Sequence, residues 1–231
     1  MEHRKTHRDW KLRRPSGSHG NLAGQPKSAV VHDGLYHHQA MSMVRSFYDL
    51  SALQWDNRDM KFSRFEGKVI LVVNTATAHV QSSRHFIQLN ELSISRWQRG
   101  LVILAFPCDL NNSEPWNNSE IMNCLRYVRP GANFKPRFNL MAKVDVNGSK
   151  CHPVYKYLKQ RLPLVQYYAK LGNHSCTSTP SATFQSDIDD NFEKFLINRD
   201  GKPVKRLTAA STQSELEEEI DTLLVKTSTH H

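Results

Sequence analysis

No run of 18 or more apolar residues occurs anywhere in the 231 residues, so the sequence offers no membrane-spanning helix. Its most apolar stretches, VILVV (Val69 to Val73) and LVILAF (Leu101 to Phe106), are of strand length. Cysteine is sparse: Cys108, Cys124, Cys151 and Cys176 are scattered with no CxxC, which excludes a dense disulfide framework and a thiolate zinc site. The thiols read as free in a reducing compartment, so the expected location is cytoplasmic. A secretory leader needs an apolar stretch of about 7–15 residues after its charged start. In residues 1–43 the longest uninterrupted apolar run is Ala29-Val30-Val31.

What is present is a formal charge of +9, with 39% hydrophobic and 23% charged residues. That balance excludes a coiled coil, a collagen and a fully disordered chain. The excess charge is local. Residues 1–27 hold seven Lys/Arg against Glu2 and Asp9, which leaves 24 bases and 20 acids for the rest of the chain. Residues 1–43 also hold six of the twelve His and the Gly/Ser/Pro-rich RRPSGSHGNLAGQP. The division expected is a disordered basic arm over 1–43 and one folded domain over 44–227. A solvated charge run accounts for such an arm without specific nucleic-acid recognition; non-specific contact with RNA or anionic lipid is the alternative. Mitochondrial targeting is a second alternative, weakened by Glu2 and Asp9.

From Ser46 the pattern alternates. Phe47 to Leu50 reads as a short strand, Asp56-Asn57-Arg58-Asp59 as a hairpin turn, and Lys68 to Asn74 as a buried strand. Apolar positions at Phe86, Leu89, Leu92, Ile94 and Trp97 predict a helix over Ser82 to Arg99, ended by Gly100. A second buried strand, Leu101 to Phe106, makes a parallel pair with the first through a right-handed crossover. Helices are expected over Ser119 to Val128 and Val154 to Arg161, with a strand at Met141 to Val146 between them. After a long loop, Leu162 to Asp189, the Asn198-Arg199-Asp200-Gly201 turn joins strands Asn191 to Ile197 and Pro203 to Leu207. A helix over Ser214 to Leu224, with Ser214 and Glu217 as a capping box, closes the chain. A βαβ half followed by a ββα half implies an α/β, thioredoxin-like layout: a central mixed sheet flanked by helices.

Eight ordered blocks carry a resemblance. SFYDLSAL, GKVILVVNTAT, QLNEL, GLVILAFPC, the EI...RYVRPG stretch, VDVNG followed by HP, and NFEKFLINRDG resemble the animal glutathione peroxidase family from about Ser46 to Leu224. RYVRPG and the long loop before Asn191 look like the tetrameric branch, which implies a homo-oligomer. Members reduce hydroperoxides with a selenocysteine or cysteine at a helix N-terminus, where the dipole and free N–H groups stabilise the anion. Oxidised to a selenenic or sulfenic acid, that residue is returned by thiols, so the resemblance implies glutathione or another thiol as co-substrate and a part in the response to oxidative stress.

Laid on that pattern, Val73-Asn74-Thr75-Ala76-Thr77-Ala78 puts His79 at the nucleophile position. An imidazole has no two-electron chalcogen oxidation to offer. The supporting Gln falls on Ser113, in a loop one residue short, and the Trp-Asn pair falls on Asp190-Asn191; of the four positions only Asn191 matches. The expectation is a degenerate, catalytically impaired homologue. The alternatives are an active peroxidase using a non-standard thiol such as Cys108, and a non-enzymatic scaffold or subunit partner of active relatives. Arg84 and Arg129 stand where tetrameric members have arginines suited to glutathione carboxylates, whereas Thr208-Ala209-Ala210 replaces further arginines of glutathione-selective members.

No metal or other cofactor is expected: His79 and His85 are six apart rather than four, with no third ligand evident. Cys108 reads as a buried structural thiol and Cys124 as a packing residue. Sequons at Asn111, Asn117, Asn147 and Asn173 read as polar loop triplets, with secretion from a different start as the alternative.

Overall fold

The computed structural model describes residues 44–163 and 186–226. The basic arm, Cys176, the sequon at Asn173 and most of the long loop lie outside them. A small antiparallel hairpin, β1 (Ser51–Leu53) and β2 (Asp59–Lys61), precedes a five-stranded mixed sheet. Its strands are β3 (Val69–Thr75), β4 (Leu101–Pro107), β5 (Asn139–Leu140), β6 (Lys194–Ile197) and β7 (Pro203–Leu207), in the order β5-β4-β3-β6-β7. β3 pairs with β4 in parallel and with β6 antiparallel. The helices are α1 (Ser82–Arg96), α2 (Asn118–Tyr127), α3 (Pro153–Arg161) and α4 (Gln213–Val225).

Every residue of β3 is buried, and successive side chains serve two cores. Ile70 and Val72 join the layer built by Phe47, Phe62, Val154, Tyr155 and Leu158. Val69, Leu71 and Val73 join the opposite layer, where Phe86, Leu89 and Leu92 of α1 meet Ile121 of α2 and Leu216 and Ile220 of α4. The sheet is therefore covered on both faces, as expected for a crossover-linked parallel core.

Several predicted elements differ. Phe47 to Leu50 is not a strand: Phe47–Asp49 is a 3-10 turn in which Ser46 Oγ accepts from Tyr48 N and Asp49 Oδ2 accepts from Ser46 N. A four-residue segment with three buried residues fits either conformation, and this reciprocal cap decides for the turn. Met141 to Val146 also fails as a strand. Its backbone is shared between neighbours, with Met141 N and Val144 N donating to Ala105 and Pro107 of β4 and Ala142 N donating to Leu53 of β1, so no ladder propagates. The α-helical part of α1 stops at Arg96 and tightens to a 3-10 turn, Trp97–Arg99, before Gly100 at φ +101°. The last helix is capped by Thr212, whose side chain accepts from Glu215 N, and not by Ser214. Glu217 instead pairs with Arg96 across the α1–α4 interface.

Candidate functional site

Chain direction brings three separated segments to one end of the sheet. β3 and β4 run parallel and in register from Val69↔Leu101 to Thr75↔Pro107, so the residues that follow them emerge side by side. β6 runs the other way beside β3, which returns the segment preceding it to that same end. Phe192 N donates to Asn74 O (2.8 Å), and Asn74 Nδ2 donates to Asp190 O (3.0 Å). The carboxyl end of a parallel pair is where α/β sheets place their ligands.

His79 lies between β3 and α1, half-buried, with its Nδ1 accepting from Gln81 N at 3.3 Å. Its side chain therefore sits over a backbone N–H at the start of a 15-residue helix. Ala78 N donates to Ser113 O (3.1 Å), and Arg129 donates to Ala78 O (3.3 Å), so the Ser113 loop and the Arg129 side chain both meet the His79 turn. Asn191 is buried and its Oδ1 is 3.9 Å from Cys108 Sγ. Asp190 is exposed, and its carboxylate turns back on its neighbour's N–H (2.7 Å to Asn191 N). Among the described residues it makes no ion pair with His79. The rings of His79 and His85 both lie against Phe192, with His85 stacked at 4.2 Å and His79 tilted at 5.6 Å. Phe192 holds φ +65°, a left-handed backbone uncommon for a bulky residue, and it packs edge-on against Phe86.

The ionisable groups are set by burial. The Cys108 thiol is 1% exposed and is pushed up to about 11 by desolvation, which the hydrogen bond from Asn74 Nδ2 only partly offsets. It is a poor thiolate. His85 is driven down to about 4 by burial first and by Lys194 second, so its ring is neutral at pH 7. Lys194 faces the same layer, 5% exposed, and its ammonium is lowered to about 8 by desolvation, with Glu193 and Asp190 opposing.

Two residues of consequence were not singled out from the sequence. Glu114 is fully buried, accepting from Thr77 N and from Thr77 Oγ1, both at 2.6 Å, while Lys143 donates to its carbonyl. Burial raises its carboxyl and the Thr77 bonds oppose the shift. This carboxylate ties the β4–α2 loop to the end of β3, fixing where Ser113 and Ala78 meet. Lys194 is the other; its signal was a lysine inside the otherwise apolar FLI end of NFEKFLI. Of the sequon asparagines, Asn117 is the N-cap of α2, and Asn147 is committed on both amide atoms, donating to Ile188 O and accepting from Lys159 and Ile188 N.

A family model described as glutathione peroxidase matches residues 47–159. The glutathione peroxidase 2 proteins of Homo sapiens and Mus musculus are each 40% identical to this chain over 188 residues, covering 79% of it and 96% of their own length. Among solved structures, T. cruzi GPX1 aligns at TM-score 0.52 and 26% identity over 78% of this chain and 97% of its own. The apo form of Trgpx aligns at TM-score 0.55 and 24% identity over 80% and 99%, a likeness of fold.

Proposed function

The chain belongs to the glutathione peroxidase family, and we propose that it is a catalytically impaired member, one that keeps the scaffold of a thiol-dependent hydroperoxide reductase without its working nucleophile. One observation carries the reading: the side chain held over the α1 N-terminus is the His79 imidazole, while the Cys108 thiol, 3.9 Å from Asn191, is buried and held protonated near neutrality. Burial of Cys108 counts equally against a peroxidase working through a non-standard thiol.

In this reading the molecule acts as a binding or scaffold subunit in the cytoplasm, assembling with itself or with active relatives. Arg84 and Arg129 are its candidate contacts for the carboxylates of glutathione or another thiol; Arg129, hydrogen-bonded to the carbonyl before His79, supports a ligand lying across that turn. Among the described residues no helix is long and apolar enough to cross a membrane.

The test is steady-state reduction of hydrogen peroxide and of an organic hydroperoxide, with glutathione and with thioredoxin as reductants, for the wild type and His79→Cys. The wild type is expected to stay at the background rate of the free thiols. His79→Cys is expected to gain slow turnover, because Gln81 N–H would then face a thiolate. Robust wild-type turnover overturns the reading.

A further inference from the structure

Behind the His79 turn, α1 and α4 enclose a cavity of about 280 Å³ floored by Lys194. Gln88 Nε2 donates to Gln213 Oε1 (3.0 Å), bridging the two helices. Arg84 and His85 line one wall, Thr212 and Gln213 at the start of α4 the other, and Ala209 and Ala210 the rim. No carboxylate lines the cavity. Lys194 is 5% exposed as a residue and lines the cavity, and its amine has no hydrogen bond or ion pair among the described residues. The family resemblance puts further arginines of glutathione-selective members in the stretch where Thr208-Ala209-Ala210 stand. Here the Ala209 and Ala210 side chains end at Cβ, and the lysine is left open to the cavity.

We propose that this cavity is a carbonyl-binding site in which Lys194 condenses reversibly with a small 2-oxo carboxylate. The neutral amine attacks the carbonyl carbon, forming the C–N bond as the C=O π pair moves to oxygen. Proton transfer gives the carbinolamine, and loss of water leaves the imine, with no oxidation or reduction. The carboxylate of the ligand is taken by Arg84 and by the positive end of the 13-residue helix α4. His85 lines the same cavity and is neutral at pH 7. Lowering the ammonium from 10.5 to about 8 raises the free-amine fraction near pH 7 roughly 300-fold over an ordinary lysine. The lower basicity gives back part of that gain, so a rate advantage of about tenfold is expected. This assignment is independent of whether peroxidase chemistry survives.

The experiment treats the full chain with glyoxylate and cyanoborohydride at neutral pH and reads the carboxymethyl adduct on each lysine by peptide mass mapping. Lys194 is expected to be modified about tenfold faster than the exposed Lys202 of the same hairpin, and faster with glyoxylate than with acetaldehyde. Ala209→Arg/Ala210→Arg, which fills the rim, is expected to abolish the advantage with thermal unfolding unchanged. Arg84→Gln is expected to remove the preference for glyoxylate over acetaldehyde while leaving Lys194 reactive. Modification of Lys194 no faster than that of Lys202 would overturn the site. Equal rates with glyoxylate and acetaldehyde in the wild type would overturn its carboxylate half.

Discussion

Replacing Lys194 with Met is expected to stabilise the protein at pH 7. Lys194 is 5% exposed, its ammonium has no hydrogen bond or ion pair among the described residues, and desolvation lowers it from 10.5 to about 8. The unfolded chain therefore binds more protons than the folded chain between those values, and wild-type stability rises with pH across that window. Below pH 8 the whole penalty is present, about 3 kcal/mol at 1.36 kcal/mol per pH unit. Met keeps the apolar stem and its packing but brings no charge, so a net gain of about 2 kcal/mol is expected at pH 7, or roughly 4–8 °C in Tm. The penalty should shrink by about three quarters by pH 10, where the wild-type folded lysine is already neutral, so the gain should be lost there. Urea unfolding of both proteins at pH 7 and pH 10 measures it. A Lys194→Met variant less stable than wild type at pH 7, or a gain that does not depend on pH, would refute the reasoning.

Three further outcomes are expected. Glu114→Ala strands the buried Thr77 N–H and hydroxyl and should cost about 2–3 kcal/mol by denaturant unfolding, whereas Glu114→Gln, which keeps one acceptor, should cost less. Gly201→Ala should cost at least about 3 kcal/mol, because the backbone there holds φ +73° and a new Cβ would lie 2.0 Å from Ser46 Oγ and 2.8 Å from the Tyr48 ring. His85 is depressed to about 4, so the folded state resists a proton that the unfolded state takes up near 6.5. Wild-type stability should therefore fall more steeply than that of His85→Gln from pH 6.5 down to pH 4. The difference is about 1–2 kcal/mol after allowing for solvent screening, measured by urea unfolding across that range.

Much of the scaffold was legible because the signals were strong and local. VILVV and LVILAF could only be buried strands, the helix between them made the crossover, and Asn198 to Gly201 announced the hairpin that the structure closes between β6 and β7. The misread elements are those whose backbone partners lie far away in sequence. Met141 to Val146 divides its hydrogen bonds between β4 and β1, and the Phe47 turn is decided by a cap of single side chains. The site divides the same way. The resemblance assigned His79, Ser113, Asp190 and Asn191 to one place, and strand direction brings their segments to one end of the sheet. Glu114 and Lys194 escaped notice because their importance comes from burial, which depends on the tertiary packing of loops and helices around them.

The most direct test of the central claim is a single-turnover one: the reduced protein is mixed with stoichiometric hydroperoxide and dimedone, and any sulfenic acid is located by peptide mass mapping. The account predicts no rapid adduct at Cys108 and peroxide loss no faster than from an ordinary exposed thiol. A fast, stoichiometric adduct at Cys108, lost in Cys108→Ser, would show that a working peroxidatic thiol sits where burial has been argued to silence one.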